Sequence, residues 1–197
     1  LIGFFFSERT SAETIPSTKE FSGDIKIQIT SATASSYQPG NEISLSYDND
    51  KSTIYHSNYS STTFPVTLTY NFSASDMDYI LYTTRQDGNW NGYFKVVEVQ
   101  TKSTGETAYT KAVEVDLKGT SGVKKIDFPA TIKNVTSVKL IVKSGAGDGS
   151  GFASCAEMEF YKTEKGGFDP ATIFTDASCS AIRAGLTRSQ LESIISN

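Results

Sequence analysis

Strict alternation of apolar and polar residues is the feature that most constrains the fold of this chain. It begins with Ile25, Ile27 and Ile29, which alternate with polar residues, and a period of two is typical of a half-buried strand. Similar segments follow, separated by turn residues such as Pro39 and Gly40, without a convincing helix among them. The pattern predicts an antiparallel β-sandwich or barrel. The further predicted strands are Val66–Phe72, Tyr79–Thr83, Tyr93–Thr101, Ala108–Leu117, Val123–Phe128, Ser137–Lys143 and Ser154–Tyr161.

The two ends of the chain differ in composition from this β-rich middle. Residues 1–22 are mostly polar after the apolar start Leu1–Phe6, and we predict a flexible segment there. The apolar start is either the end of a removed export signal or an ordinary N-terminal segment. We place the sandwich at residues 23–163. Residues 164–197 have a helical period and a helix start at Asp169–Pro170, which predicts a linker and the start of a following domain; a helix pair packed on the sandwich is the alternative.

Composition argues against several classes of function. The net charge is −4 and the chain has no basic stripe, which argues against a nucleic-acid partner. No apolar run approaches the roughly 20 residues that a membrane helix needs. The single histidine, His56, rules out a multi-histidine zinc site, and the sequence has no metallopeptidase or serine-nucleophile motif. We therefore predict that this chain alone is not an enzyme.

The segment Tyr47–Ser57 brings acidic and hydroxyl side chains close together. Asp48, Asp50 and Thr53 fall within six residues, and two carboxylates this close repel each other unless a cation lies between them. Calcium accepts carboxylate, hydroxyl and carbonyl oxygens, although the spacing is not that of the helix–loop–helix calcium site. Asp and Asn also favour ordinary solvated turns. From these residues alone, a calcium site and a solvated turn both stay open.

Four separated motifs, taken together, resemble a known family. They are SATASS, YDNDKSTIYHS, TRQDGNWNG and GFASCAEMEFY, and they occur in this order between Ile25 and Lys162. They resemble the coagulation factor 5/8 type C (discoidin) superfamily and, more narrowly, carbohydrate-binding module family 32. The resemblance implies an all-β fold, a jelly-roll β-sandwich of the galactose-binding-domain-like type, followed here by the short helical C-terminal extension. It also implies one structural calcium ion.

The resemblance further implies which residues hold this calcium ion. Three carboxylates are expected to converge, and without a cation each would raise the pKa of the others. The metal would tie the first loop to the last strand, so its binding energy would become folding energy. The implied ligands are the side chains of Asp48, Asp50, Thr53 and Glu157 and the carbonyls of Tyr47 and Ala156.

The same resemblance implies a shallow site for terminal galactose, N-acetylgalactosamine or a related sugar. His56, Arg85 and Asn91 would hydrogen-bond to sugar hydroxyls, and the Phe152 ring would stack on the apolar face of the pyranose. An axial hydroxyl at C4 would meet His56 and Arg85 together. A sugar without that hydroxyl geometry would leave a polar group of the site unpaired, which would separate galacto from gluco sugars.

Three positions depart from the family pattern. Tyr55 stands where the family has Trp, Asn49 where it has Gly, and Thr84 where it has Pro. Asn tolerates a left-handed backbone, so the turn should persist. The other two changes affect packing behind the site more than the contacts. Two loop aromatics, Trp90 and Tyr37, are predicted to extend the site.

These implications predict a non-catalytic carbohydrate-binding module that targets an attached enzyme to mucin-like host glycans. Residues 168–187 are similar to the segment that follows such modules in enhancin-like metallopeptidases of gut Bacteroidetes, so we expect a downstream catalytic domain and a secreted, periplasmic or cell-surface location. The alternative is a discoidin-type adhesion domain that binds protein or phospholipid. The polar loops Ser57–Thr63 and Gly145–Gly151 argue against membrane insertion. Cys155 and Cys179 fit either one disulfide or two thiols.

Overall fold

The alternating segments form strands in the computed structural model of the chain, which describes residues 23–163. The predicted flexible N-terminal segment, the helical extension and Cys179 all lie outside these residues. Within the described range, no helix is long and apolar enough to cross a membrane. A four-residue 3₁₀ helix, Ile43–Ser46, was not predicted. The strands are β1 (Ile25–Ile27), β2 (Ile29–Ala34), β3 (Tyr55–His56), β4 (Val66–Thr83), β5 (Val96–Ser103), β6 (Thr110–Asp116), β7 (Val123–Val142), β8 (Ser154–Cys155) and β9 (Glu157–Lys162).

Two long strands, β4 and β7, run through both layers of a β-sandwich. The first layer has the order β2, the start of β4, the end of β7, β5 and β6. The second layer has the order β1, β9, the end of β4 and the start of β7. All of these pairings are antiparallel. The predicted all-β, jelly-roll β-sandwich is therefore confirmed.

The prediction that these long strands are each two separate strands was wrong. Val66–Phe72 and Tyr79–Thr83 were expected to be distinct because the polar residues between them interrupt the alternation. The backbone instead stays extended and bends, with shifts of register between Asn71 and Tyr79. β7 likewise continues past Pro129, in a stretch where no β4 partner pairs with it, and a bulge of this kind tolerates proline.

The alternating segment that begins at Ile25 forms two strands in different layers rather than one strand. Ile27 ends β1, which pairs with β9 in one layer, whereas Ile29 begins β2, which pairs with β4 in the other. Aromatic rings fill the space between the layers. The ring of Phe160 lies 5.2 Å from that of Tyr70 and 4.7 Å from that of Phe72, and all three are buried. Such contacts make the two layers one core.

Candidate functional site

Three segments that are distant in sequence are fixed side by side by backbone hydrogen bonds. Strand β3 pairs with β8, so His56 lies opposite Ser154. The amide of Ser154 donates to the carbonyl of Gly92 at 2.8 Å, and the amide of Gly92 donates to the carbonyl of Ala146 at 2.8 Å. The loop after β4 and the loop after β7 are thereby held against the short β3–β8 pair.

The side chains at this junction line one depression of about 300 Å3. All four side chains that were predicted to contact a sugar through hydrogen bonds or stacking are among them: His56, Arg85, Asn91 and Phe152. Three further residues complete the lining and were missed by the sequence analysis: Tyr59, Asn89 and Asp148. Tyr59 and Asp148 belong to none of the four motifs, whereas Asn89 lies within TRQDGNWNG but had no predicted role.

His56 is held in one protonation and tautomeric state. Its side chain is almost fully buried, with 1% exposure, and Nδ1 lies 2.7 Å from the carbonyl oxygen of Ser57. A carbonyl only accepts, so Nδ1 carries the hydrogen and Nε2 is left as an acceptor. Burial lowers the pKa of His56, an effect that the Ser57 carbonyl opposes and the Arg85 guanidinium reinforces. The ring is therefore neutral at pH 7 and offers an acceptor to a hydroxyl.

Arg85 is oriented by a carboxylate two residues further along the loop. Its Nε donates to Asp87 Oδ1 at 2.8 Å and its Nη2 donates to Asp87 Oδ2 at 2.5 Å. The side chain is 10% exposed. This bidentate pair fixes the guanidinium plane and leaves Nη1, which makes only a long contact of 3.4 Å with the Asn91 carbonyl, to donate to a ligand. The hydrogen bonds from Arg85 lower the pKa of Asp87.

Asn91 contributes a buried oxygen that has no partner within the described residues. Its Oδ1 is buried and accepts no hydrogen bond there, although the Asn91 backbone amide is held by Asn89 Oδ1 at 2.9 Å. Buried polar atoms are nearly always paired in folded proteins. An orphan amide oxygen in the wall of a depression is therefore best explained by a ligand or water that donates to it.

Phe152 is positioned by glycines of the preceding loop. A Cβ on Gly145 would lie 1.8 Å from the carbonyl oxygen of Phe152, and a Cβ on Gly147 would lie 2.8 Å from the Phe152 ring. Only glycine permits both approaches, since no other residue lacks a Cβ. The Phe152 ring lies 5.3 Å from the His56 ring, so a flat apolar surface adjoins the imidazole acceptor.

Three aromatic residues of the loops, Tyr59, Tyr37 and Trp90, differ in their position relative to the depression. Tyr59 stands edge-on to the His56 ring at 4.7 Å and remains half exposed. Tyr37, which was predicted to extend the sugar site, does not line this depression and instead lines a neighbouring one. Trp90 is half exposed beside Asn89 and Asn91 and lines neither depression.

Oxygen atoms of the predicted calcium turn do converge. The hydroxyl of Thr53 lies 2.8 Å from Asp48 Oδ2 and 2.9 Å from the carbonyl oxygen of Asp50. It also lies 3.4 Å from the carbonyl of Leu45, which is not among the predicted ligands. Tyr47 directly precedes Asp48, after the 3₁₀ helix.

Glu157 is the second part of this arrangement. It is 1% exposed, and neither carboxylate oxygen has a hydrogen-bond partner within the described residues. Burial raises the pKa of Glu157 from 4.5 to about 7, and the nearby Asp48 carboxylate adds to the rise while Lys26 opposes it. Ala156, the other implied ligand of the last strand, is buried directly before Glu157. The buried carboxylate of Glu157 lies near the exposed carboxylate of Asp48 and has no hydrogen-bond partner in the described residues, which indicates a missing positive charge.

The described residues do not bring the Asp50 carboxylate together with those of Asp48 and Glu157. Asp50 Oδ1 accepts from the Ser52 amide at 2.9 Å and from the Ser52 hydroxyl at 2.6 Å, so this carboxylate caps its own turn. Accordingly, residues 23–163 hold no group of three His, Cys, Asp or Glu side chains placed to bind a metal. The donors present are two carboxylates, one hydroxyl and backbone carbonyls. Such a hard oxygen set fits calcium, with Asp50 offering its carbonyl rather than its side chain.

Cys155 does not help to decide the disulfide question. Its side chain is fully buried and is a free thiol in the described part of the chain. Because Cys179 lies outside that part, their pairing stays untested.

Comparisons with known proteins agree with this arrangement. The family profile of the F5/8 type C domain matches residues 31–158. No curated protein sequence matches the chain. Among solved structures, a family 32 carbohydrate-binding module from Clostridium perfringens NanJ, in complex with galactose, is 26% identical. That match covers 71% of this chain and 99% of the module, with a TM-score of 0.64.

Two further modules from the same organism are similar. CpGH89CBM32-5, in complex with GalNAc-β-1,3-galactose, is 26% identical over 67% of this chain and 94% of its own, with a TM-score of 0.60. CBM32-3 from a family 31 glycoside hydrolase is 27% identical over 67% of this chain and 91% of its own, with a TM-score of 0.60. Since the profile match spans more than half of the sequence, the protein belongs to the F5/8 type C domain family, and its described domain is of the carbohydrate-binding module type, which is non-catalytic on its own.

Proposed function

We propose that this domain binds the terminal galactose or N-acetylgalactosamine of a glycan in the depression around His56. One observation carries the proposal: a neutral imidazole acceptor, an oriented guanidinium, an unpartnered amide oxygen and an aromatic ring line the same depression. The complexes of similar modules with galactose and with GalNAc-β-1,3-galactose support the choice of sugar.

The chemistry of each group assigns it a part in recognition. The apolar face of the pyranose stacks on Phe152. An axial hydroxyl at C4 donates to His56 Nε2 and accepts from Arg85 Nη1. One sugar oxygen therefore pairs with both the free acceptor of the imidazole and the free donor of the guanidinium. Asn91 Oδ1 accepts from a neighbouring hydroxyl. An equatorial C4 hydroxyl points elsewhere and leaves the imidazole and guanidinium without that partner.

Titration of the domain with galactose and with glucose tests this proposal. We expect galactose to bind with a dissociation constant on the order of 0.1–1 mM, because the site is shallow and open to solvent. Glucose should bind about 5- to 150-fold more weakly, since the lost hydrogen bonds cost about 1–3 kcal/mol. Calorimetry at pH 7.5 with calcium present gives both constants, and methyl glycosides control for the anomeric mixture.

Equal affinity for the two sugars would contradict the assigned roles of His56 and Arg85. A glycan array with parallel liposome and protein-binding arms extends the test. Binding to phospholipid or protein without any galacto-sugar binding would favour the adhesion-domain alternative.

We further infer that a calcium ion binds between the Asp48 turn and Glu157. The converging hard oxygen donors and the two unpartnered Glu157 oxygens support this inference. A bound divalent cation would supply the positive charge that the buried Glu157 carboxylate lacks. The ion would then link two distant parts of the chain, because Asp48 follows the 3₁₀ helix and Glu157 begins β9.

Finally, we propose that the domain directs an attached enzyme to mucin-like host glycans outside the cell. A similar module comes from a family 31 glycoside hydrolase, which supports the role beside a catalytic domain. The likeness of residues 168–187 to segments of enhancin-like metallopeptidases of Bacteroidetes is the reason to propose a peptidase as the partner domain. Deleting residues 23–163 from the full-length protein should then reduce its retention on immobilised mucin without reducing hydrolysis of a small soluble substrate.

A further inference from the structure

A second depression, of about 350 Å3, lies beside the first and has no assigned role. None of the residues that line it is charged, and most carry a hydroxyl group. One of them, Tyr37, is an aromatic residue that is 51% exposed, which leaves part of its side chain accessible to a ligand. The lining residues are Ser35, Ser36, Tyr37, Asn58, Ser61 and Thr63.

The two depressions are connected by a hydrogen-bonded wall. The amide of Asn58 donates to Ser36 Oγ at 3.1 Å, and the amide of Tyr59 donates to Gln38 Oε1 at 3.1 Å. The amide of Gln38 donates to the carbonyl of His56 at 2.8 Å. Residues 36–38 are therefore fixed along the segment 56–59, and Tyr59, which lines the first depression, directly follows Asn58, which lines the second.

Asn58 also has donors available in this second depression. Its Oδ1 accepts from the amides of Ser60 at 2.9 Å and of Ser61 at 3.0 Å, which fixes the orientation of the side-chain amide. Its Nδ2 makes no hydrogen bond within residues 23–163. A fixed NH₂ group, hydroxyl groups and an exposed ring, without a charged group, match a neutral sugar better than a charged peptide or an acidic sugar.

We propose that the second depression is a subsite for the next sugar residue of a neutral glycan whose terminal galactose or N-acetylgalactosamine occupies the first. Tyr37 supplies the stacking surface, and Asn58 Nδ2 donates to a hydroxyl of the second sugar. This inference rests on the proposed function, because the first depression must hold the terminal sugar. It assigns Tyr37 to a different sugar residue from the one that Phe152 contacts.

A comparison of galactose with a set of galactosyl disaccharides of different linkage tests the subsite. In the unmodified domain, at least one disaccharide should bind about 3- to 10-fold more tightly than galactose, the gain expected from one added aromatic contact. Tyr37→Ala should bring that ratio to about one without changing the affinity for galactose itself. Tyr37→Phe should retain the ratio, because the ring remains.

Ile25→Ala is the matched control, since Ile25 is an exposed apolar residue on β1 and lines neither depression. It should leave both affinities unchanged. The subsite is overturned if no disaccharide binds more tightly than galactose, or if Tyr37→Ala keeps the ratio. Failure of galactose itself to bind would instead overturn the proposed function.

Discussion

Replacing Arg85 with alanine is expected to abolish measurable galactose binding while leaving the melting temperature of the domain nearly unchanged. The guanidinium is held by Asp87 and offers Nη1 to the ligand. A hydrogen bond from a charged group contributes about 1.5–3 kcal/mol, so its loss weakens affinity by about 10- to 100-fold. From an initial dissociation constant on the order of 0.1–1 mM, the constant then rises to about 1–100 mM, at or beyond the limit of ordinary titration. Calorimetry for affinity and thermal denaturation for stability measure the two effects.

The nearly unchanged melting temperature of the Arg85 variant is expected from the surroundings of Arg85. Asp87 is well exposed, so removal of its partner leaves a carboxylate that water can solvate. Lys118→Ala is a control for the loss of a pair between a basic side chain and an aspartate, because Lys118 pairs with Asp116 two residues away at 2.6 Å outside the depression, with a side chain that is 72% exposed. Normal galactose affinity in the Arg85 variant would refute the assigned site.

His56 does not offer an equally clean test. From the sequence, both His56 and Arg85 were expected on loops, where alanine should not unfold the domain. The structure instead places His56 in β3, almost fully buried, with its amide donating to the Asn41 carbonyl and its ring between Tyr59 and Phe152. His56→Ala therefore leaves a cavity and should lower stability as well as affinity.

Removing calcium is expected to lower the melting temperature by about 10 °C at pH 8 and by much less at pH 5. The pKa of Glu157 is raised in the folded, metal-free chain to about 7. A raised carboxyl pKa means that the folded state holds its proton more tightly than the unfolded state. The corresponding stability is present below about pH 4.5 and is lost as the pH rises through about 7.

The size of this effect follows from the same shift. One pKa unit corresponds to about 1.4 kcal/mol, so a change from 4.5 to about 7 corresponds to at most about 3.5 kcal/mol. With calcium bound, the Glu157 carboxylate stays ionised. The free energy of metal binding then offsets the cost of its ionisation and stabilises the folded state further. Thermal denaturation at pH 5, 6, 7 and 8, with calcium or with a chelator, measures both quantities.

Glu157→Gln distinguishes the effect of calcium binding on stability from the effect of protonating Glu157. Without calcium at pH 8 this variant should melt above the unmodified domain, because it buries no charge, and added calcium should stabilise it much less. Glu159→Gln is the control, since Glu159 lies on the same strand but pairs with Lys26 at 2.7 Å. A melting temperature that depends on neither chelator nor pH would show that no cation binds between Asp48 and Glu157.

The sequence predicted the strands well where alternation was uninterrupted. It did not predict that β4 and β7 continue through polar bends, because a bend at the edge of a sandwich needs only a change of register and no turn residue. It also could not show that β1 and β2 belong to different layers. The layer to which a strand belongs depends on its pairing partner, which is β9 for β1 and β4 for β2. The alternation around Gln28 is compatible with either partner.

The candidate site was predictable where its residues belong to motifs and not elsewhere. His56, Arg85, Asn91 and Phe152 meet in one depression as the resemblance implied. Tyr59 and Asp148 could not be found, because they lie outside the motifs and reach the depression only through the packing of loops. Asp87 lies within TRQDGNWNG, but its spacing does not reveal that it pairs with Arg85. The direction of the Asp50 side chain was likewise open, because an aspartate can bind a metal or cap its own turn with the same spacing.

The central claim is that galactose binds in the depression formed by His56, Arg85, Asn91 and Phe152. Two-dimensional NMR of isotope-labelled domain, titrated with galactose and in parallel with glucose, tests it most directly. Saturable shifts are predicted at the amides of these four residues with galactose, and much smaller ones with glucose. The absence of saturable shifts, or shifts centred on the separate depression around Ser73–Asp76 and Asn134, would contradict the claim.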